Sequence, residues 1–388
     1  MRVLLSAVLA AAILVAGCGT RTGRALRWRD ADMGDIRRFP LRAIPRGEAP
    51  PFEFHAATPG RYDTVFAPVG IASEGTTERV DFETFLRDRG TYAFLVVRRD
   101  TLIFERYFAG RTRGSVETTF SISKSLVSLA VGLARDQGLL SVDEPITRLV
   151  PELRRRDPGF DSLTLGHLLT MTSGIRFKRS KWPWGDEATA YYDPNLRSVA
   201  VARDLAEPPG TRFQYNFYSP IVLGLALERA TGRSLSETLA EGVWSRIGAL
   251  TDASWSLDSE KRGFEKMESG FNATAIDLAK LGRLYARGGD WDGARIVSEE
   301  WVRASTRPDT TAGRSPNYGY FWWLRPTEGE ATRYYAEGRF GQFVYVVPDR
   351  GLVIVRTGGS DGDVDWVSLF EGLIRRVDAV DGREAGGG

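Results

Sequence analysis

Apolar and polar positions follow one another in blocks that predict a strand hairpin and then a buried helix in the first half of the chain. Residues 92–97 and 102–108 are apolar and aromatic runs separated by the polar residues 98–101, which is typical of two antiparallel strands joined by a tight turn. Residues 126–134 are apolar almost all round, which predicts a buried helix over about residues 121–136. Gly138 then stands where a helix commonly ends.

The second half of the chain predicts helices first and strands again at the end. Residues 144–305 have the pattern of helices and loops, whereas residues 343–347 and 352–356 flank a Pro-Asp-Arg-Gly turn and predict a second hairpin. This order predicts an α/β fold of the α+β type, in which the N- and C-terminal parts form an antiparallel sheet flanked by helices, with an inserted, mainly helical subdomain. We expect the domain to span residues 77–380 and residues 381–388 to be a disordered tail.

The first residues predict export and attachment of a lipid. Residues 3–15 are apolar, and residues 15–18 (Val-Ala-Gly-Cys) resemble a bacterial lipobox whose last position is the chain's only cysteine, Cys18. The apolar run is shorter than the roughly 20 residues that span a bilayer. We therefore expect a lipoprotein signal peptide over residues 1–17, a lipid on Cys18, and a place in the bacterial cell envelope on the non-cytoplasmic side. An ordinary secretory signal and a cytosolic chain with an apolar tail are the alternatives.

The composition of the chain indicates a separate N-terminal segment and disfavours nucleic-acid, zinc and nucleotide-cofactor binding. Residues 18–76 are rich in Arg, Pro and Gly, which predicts a lipid-anchored tether followed by an arm that packs on the domain. A formal net charge of +2, with both signs interspersed, argues against a nucleic-acid partner. Two histidines and one cysteine leave little for a zinc site, and no Walker-type or dinucleotide-binding glycine pattern is present. We therefore expect no metal and no organic cofactor.

Ser121 and Lys124 form the strongest candidate for chemistry. Residues three apart share one face of a helix, so the Lys124 amine would stand near the Ser121 hydroxyl and could take its proton. A helix-capping serine beside a solvated lysine is the alternative. A Ser-His-Asp triad is disfavoured, because the chain has only His55 and His167, and the Gly-x-Ser-x-Gly match at residues 358–362 has no histidine after it.

Several ordered motifs carry a resemblance to a known family. They are residues 120–125 (Phe-Ser-Ile-Ser-Lys-Ser), 164–174, 209–215 (Pro-Gly-Thr-Arg-Phe-Gln-Tyr), 272–279 and 338–342. In this order they resemble the serine β-lactamase and penicillin-binding protein superfamily, within its class C-like branch that includes esterases and 6-aminohexanoate-dimer hydrolases. The resemblance covers residues 92–374, nearly the whole domain.

The resemblance implies roles for particular residues. Ser121 would be the nucleophile, Lys124 its base, and Tyr215 the group that relays the proton to the leaving group. The backbone amides of Ser121 and Arg339 would form the oxyanion hole. An acyl-enzyme would form on Ser121, and the substrate would be a small-molecule ester, an amide or a short peptide-like compound.

The chain departs from the family at two motifs. Phe217 stands where relatives have an asparagine, with Asn216 one place early, and Ala336-Glu337-Gly338 replaces a motif that carries a Lys or His in relatives. Loss of that cation disfavours β-lactams, so an esterase or amidase is the favoured interpretation. A β-lactamase or D-Ala-D-Ala carboxypeptidase, and an inactive binding protein of the same fold, are the alternatives. The expected substrate-binding residues are Asn216, Phe217, Gly338, Trp182 and Trp184.

Overall fold

The structure, a computed structural model, describes residues 19–73, 76–180, 182–327 and 329–385. The predicted signal peptide, the lipobox and Cys18 lie outside the described residues. Twelve helices, numbered α1 to α12, are described in these ranges. They are Arg21–Trp28, Phe82–Asp88, Ser123–Asp136, Pro151–Arg156, Leu165–Leu169, Asp186–Tyr192, Leu196–Val201, Tyr218–Thr231, Leu235–Leu239, Ala275–Ala286, Glu299–Ser305 and Trp366–Ala385. None of these helices is both long enough and apolar enough to cross a bilayer.

Strands β1 to β15 form two larger sheets and two short hairpins within the described residues. In chain order they are Leu41–Ile44, His55–Ala56, Val69–Ser73, Thr76–Val80, Thr91–Arg98, Thr101–Tyr107, Val116–Thr118, Ala253–Ser256, Phe271–Thr274, Asp290–Trp291, Ala294–Arg295, Trp323–Arg325, Arg333–Gly338, Gln342–Val347 and Leu352–Gly358. The main sheet has seven strands in the order β12-β13-β14-β15-β5-β6-β2, antiparallel except for β2 beside β6.

Both predicted hairpins are confirmed, and together they show how the two ends of the chain close one sheet. β5 pairs with β6 and β14 pairs with β15, and β15 then pairs with β5, for example at Val355 opposite Leu95. Alternate residues along these strands face opposite sides of the sheet. Leu95 and Val355 pack in one apolar cluster with residues of α3, α8 and α10, whereas Phe94 and Phe343 pack in another with α2 and α12. The predicted α+β architecture is therefore confirmed.

The helical middle region also contains strands that the sequence pattern did not predict. β8 and β9 pair with each other, and β1 and β7 extend them into a four-stranded antiparallel sheet. β8 and β9 have only four residues each and are almost wholly buried, so their side chains lack the alternation that marks a half-buried strand. The first residue of β9, Phe271, donates its backbone N–H to Ser123 Oγ at 2.9 Å, which holds the segment before β9, including Glu268, next to the start of α3.

The predicted termini need correction. The chain already packs on the domain from Arg21 onwards, because α1 begins there and contacts α6, so any tether within the described residues is limited to residues 19–20. The predicted disordered tail is wrong over residues 381–385, which continue α12. Asp381 accepts hydrogen bonds from Tyr62 at 3.0 Å and from the buried Arg98 at 2.9 Å, and these contacts hold the end of the helix on the sheet.

Candidate active site

The residue predicted as nucleophile lies in a tight turn immediately before α3. Residues Phe120–Ile122 form a single 3₁₀ turn and α3 begins at Ser123, so Ser121 precedes the buried helix instead of lying within it. Phe120 has a φ of 49° and is buried. A left-handed backbone at a bulky residue stores strain and persists only where the surroundings impose it. Such a turn presents the side chain that follows it, and Ser121 is half-buried.

Lys124 joins Ser121 to the segment that precedes β9. Its Nζ lies 2.7 Å from Ser121 Oγ and 2.7 Å from the backbone carbonyl oxygen of Glu268. The lysine side chain is 1% exposed, and its nearest acceptors are a hydroxyl and a carbonyl, with no carboxylate paired to it among the described residues. The predicted helical neighbours therefore do lie together, and the solvated-lysine alternative is wrong.

Aromatic rings enclose the amine on its open side. Lys124 Nζ lies 5.0 Å from the ring centroid of Tyr215 and 5.1 Å from that of Phe217. The Tyr215 ring stacks on Trp323 with centroids 5.7 Å apart and meets Tyr318 edge-on at 6.1 Å. Burial raises the pKa of Tyr318 well above its usual value, so that phenol stays protonated beside Tyr215. The structure thus brings Ser121, Lys124 and Tyr215 to one place.

Two further predicted substrate-binding residues have different environments. Asn216 is buried, its side-chain amide donates to the carbonyl of Ile175 at 2.8 Å, and its side-chain oxygen accepts from the amide of Tyr218 at 2.9 Å. The structure therefore gives both polar atoms of the Asn216 side chain partners within the chain, one of them at the start of α8. Phe217 is half-buried and faces Lys124, so an aromatic ring occupies the place of the polar side chain that relatives carry.

The last residue of β13 is pressed against the nucleophile turn. A Cβ atom at Gly338 would lie 2.2 Å from the carbonyl oxygen of Thr119, so only glycine allows this approach. The next turn brings the Phe340 ring to 5.5 Å from the Phe120 ring. These contacts bring the end of β13 and the turn after it against the two residues that precede Ser121, and the oxyanion-hole role of the Arg339 amide stays a prediction. The Arg339 side chain itself is about half exposed and lies 3.8 Å from Asp30.

Trp182 and Trp184 lie on the surface. They are 64% and 62% exposed, and their rings stack on each other with centroids 5.2 Å apart. Within the described chain their only ring contact is this mutual one, so the structure does not bring them to the Lys124 amine. Trp323, in contrast, is partly buried and its ring forms the wall behind Tyr215.

A buried ion pair behind the site was missed from the sequence. Lys266 Nζ lies 3.3 Å from a carboxylate oxygen of Glu268, and both side chains are 2% exposed. Burial lowers the pKa of Lys266, and the Glu268 carboxylate opposes that effect. Lys266 also lies over the rings of Phe39 and Tyr191 at 4.4 and 3.6 Å. The three charged residues among the five residues 264–268, mixed with two apolar ones, were the available signal.

The third motif keeps no cation at the site. The Ala336 side chain is buried and lines a small apolar cavity of about 10 Å³ beside α3, whereas Glu337 is half-buried on the opposite face of β13. Burial raises the pKa of the Glu337 carboxyl. Among the described residues, no cluster of three or more His, Cys, Asp or Glu side chains could hold a metal ion.

The fold and this arrangement define a class of protein, the β-lactamase-fold serine hydrolases, which includes esterases, amidases and penicillin-binding proteins. The chain belongs to the β-lactamase family, whose model matches residues 81–365. The family predicted from the motifs is thus confirmed.

Individual relatives refine the comparison. The chain is 28% identical over 384 residues to the 6-aminohexanoate-dimer hydrolase of Paenarthrobacter ureafaciens, covering 91% of this chain and 92% of that one. It is 33% identical over 195 residues to the esterase EstB of Burkholderia gladioli, covering 43% and 48% of the two chains. A solved Bacillus anthracis structure named for the 6-aminohexanoate-dimer hydrolases superposes with a TM-score of 0.75 at 21% identity, covering 93% of this chain and 95% of that one.

Proposed function

We propose that the protein is an acyl-transferring serine hydrolase that cleaves a small ester or a linear amide. One observation carries the proposal: the Lys124 amine is buried within 2.7 Å of Ser121 Oγ and is held from behind by a backbone carbonyl. A neutral amine in this position can donate to the Glu268 carbonyl while its lone pair accepts the serine proton. The Glu268 carbonyl therefore orients the base without forming an ion pair with it.

The proposed reaction has two halves. Ser121 Oγ attacks the substrate carbonyl as its proton passes to Lys124 Nζ, and the oxyanion that forms accepts hydrogen bonds from the Ser121 and Arg339 amides. The intermediate collapses, the leaving alcohol or amine takes a proton through Tyr215, and an acyl-enzyme remains. Water then attacks this ester, its proton passes to the Lys124 and Tyr215 pair, and the carboxylic acid leaves as Ser121 regains its proton.

Labelling with a fluorophosphonate tests the first half. We expect one covalent adduct on Ser121, none in Ser121→Ala or Lys124→Met, and normal labelling in two matched controls. Ser128→Ala removes another buried hydroxyl of α3, and Lys261→Met removes an exposed amine. An unlabelled wild-type protein that is folded would support the inactive binding protein instead.

The second half of the proposal concerns the substrate. Ala336 leaves no cation where relatives hold the ring carboxylate of a β-lactam, and its side chain is closed in by apolar residues. The 6-aminohexanoate-dimer hydrolase and the esterase EstB are relatives whose names describe a linear amide and ester activity. We expect kcat/KM for short p-nitrophenyl esters or 6-aminohexanoate dimer to exceed that for nitrocefin and benzylpenicillin. Nitrocefin turnover equal to the best ester would favour the β-lactamase or carboxypeptidase alternative.

We further propose that the protein is anchored in the bacterial cell envelope by a lipid on Cys18. The lipobox sequence at residues 15–18 supports this proposal. Since α1 begins at Arg21, the anchor would leave the domain close to the membrane. We expect a mature N-terminus at Cys18 with a diacylglycerol mass, and loss of that mass in Cys18→Ser. A mature N-terminus at another residue would contradict it.

A further inference from the structure

A fully buried arginine holds the turn that follows β13. Arg356 on β15 is 0% exposed, and all three of its guanidinium nitrogens donate hydrogen bonds. The acceptors are the carbonyls of Phe340 (2.9 Å), Gly341 (2.7 Å), Arg89 (2.9 Å) and Ser360 (2.9 Å), and the hydroxyl of Thr91 (3.1 Å). Its guanidinium lies 3.8 Å from the centroid of the Trp366 ring.

This arginine has no ion-pair partner in the described part of the chain. Buried arginines elsewhere in the same structure do: Arg283 pairs with Asp100 at 2.7 Å and with Asp292 at 2.6 Å. Burial lowers the pKa of Arg356 to about 9, with Asp361 opposing the effect from a distance. A cation kept in this position without a carboxylate is costly, so its hydrogen bonds to backbone carbonyls must compensate.

The turn that receives two of those bonds is strained. β13 ends at Gly338 and β14 starts at Gln342, and between them Phe340 and Gly341 have φ of 67° and 70°. A phenylalanine in the left-handed region is a rare conformation that needs support from its surroundings. The carbonyls of these two residues are the ones that accept from Arg356 Nη1. A Cβ at Gly341 would lie 2.6 Å from that same nitrogen, so arginine and glycine fit together closely.

We propose that Arg356 is a positioning residue for the oxyanion hole, which holds the turn 339–341 so that the Arg339 amide faces the carbonyl bound to Ser121. This inference rests on the proposed function. Arg356 lies behind the turn and acts through its backbone, so it touches no substrate. Since one oxyanion donor is worth about 10²–10³ in kcat, a turn that loses its support should lose a sizeable part of that factor.

The test compares Arg356→Met and Arg356→Lys with Arg283→Met, which removes another buried arginine at a distance from the site. Rates are measured with a short p-nitrophenyl ester and divided by the number of sites that a fluorophosphonate titrates. We expect kcat per titrated site to fall about 10- to 100-fold in Arg356→Met, a part of the full value of one oxyanion donor, with KM changed little. Arg356→Lys should recover part of the loss, and Arg283→Met should lower stability without changing kcat per site.

Amide hydrogen exchange separates failure of this inference from failure of the proposed function. The backbone amides of peptides covering residues 338–342 should exchange faster in Arg356→Met than in wild type. Their exchange rate in Arg283→Met should equal that of wild type. Both results are expected whether or not the protein hydrolyses the ester. Unchanged exchange at this turn, or a kcat per site that falls equally in both variants, would overturn the positioning role. If Arg356→Met does not fold, the same two measurements on Arg356→Lys decide the question. If the exchange rates differ between the variants as expected but Ser121 of the wild-type protein is not labelled, the proposed function is refuted and the support of the turn by Arg356 is not.

Discussion

Replacing Gly338 with alanine tests whether the close approach of β13 to the nucleophile turn matters for catalysis. The added Cβ would lie 2.2 Å from the carbonyl oxygen of Thr119, where real Cβ contacts essentially never fall below 3.0 Å. The obstacle is backbone, so no side chain can rotate away to relieve it. Strand and turn must separate by roughly one ångström, and a misplacement of that size can cost about 10²-fold in rate.

The two consequences of this shift have different magnitudes. Overpacking at a buried position typically costs about 1–3 kcal/mol of stability, which the main sheet can absorb. Displacing the Arg339 amide from the developing oxyanion should lower kcat about 10²–10³-fold, which corresponds to about 3–4 kcal/mol of barrier. We therefore expect a folded Gly338→Ala protein with a slightly lower melting temperature, near-normal KM and very low kcat in burst kinetics with a p-nitrophenyl ester.

Gly372→Ala is the matched control for this substitution. Gly372 lies within α12, and the only atom near its added Cβ is Arg375 Nη2, at 4.0 Å. Alanine should stabilise the helix interior by about 0.5–1 kcal/mol and leave kcat unchanged. If Gly338→Ala has the kcat and the melting temperature of wild type, the end of β13 does not form part of an oxyanion hole. The proposed mechanism then lacks its second hydrogen-bond donor.

Three further predictions concern the site and its support. Tyr215→Phe keeps the ring packing but removes the hydroxyl, so kcat should fall about 10²–10⁴-fold without loss of stability, and a fully active variant would exclude the proton relay. Lys266→Met leaves Glu268 buried without its partner and should lower the free energy of unfolding, measured with urea, by about 3–5 kcal/mol. The double variant Lys266→Met with Glu268→Gln should recover part of this loss. Equal losses in the single and double variants would contradict the pairing. Arg229 lowers the pKa of Glu152 to about 2, so this pair stabilises the fold above pH 4.5 and is lost as the pH falls towards 2. Because the pair is partly exposed, Glu152→Gln should reduce the loss of unfolding free energy between pH 4.5 and pH 2 by only about 1 kcal/mol or less. If the pH dependence of the unfolding free energy is the same in the variant and in wild type, the pair does not stabilise the fold.

The parts of the fold that the sequence predicts are those with local patterns. Both hairpins and the buried helix follow from runs of apolar residues whose period matches their structure. Ser121 and Lys124 are three residues apart, so their contact is a property of one helical turn. These features could be read from neighbouring residues without knowing how distant segments pack.

The rest of the site depends on contacts between distant segments. The carbonyl that orients Lys124 comes from Glu268, 144 residues further along the chain, and any residue has a carbonyl, so no side-chain pattern could mark it. Asn216 has the residue type expected of a binding group, but its amide satisfies backbone groups at the start of a helix. The tail was expected to be disordered from residue 381, yet the Asp381 carboxylate forms an ion pair with the buried Arg98 at 2.8 Å, a contact between residues far apart in the chain.

The proposed preference for esters and linear amides rests on the direction in which side chains alternate along β13. Ala336 faces the apolar cavity beside α3, so a lysine there would have to place its amine among apolar side chains, at a cost that a paired carboxylate alone would not offset. Glu337 faces the other side, where burial raises the pKa of its carboxyl and no cation is paired with it among the described residues. A substrate carboxylate that reached residues 336–338 would therefore find a second acid and no positively charged side chain among these three residues. The remaining cation, the Arg339 side chain, is half exposed and shares its charge with Asp30 at 3.8 Å. Uncharged esters and amides need none of these partners, because the backbone amides and the Ser121–Lys124 pair act on the carbonyl alone.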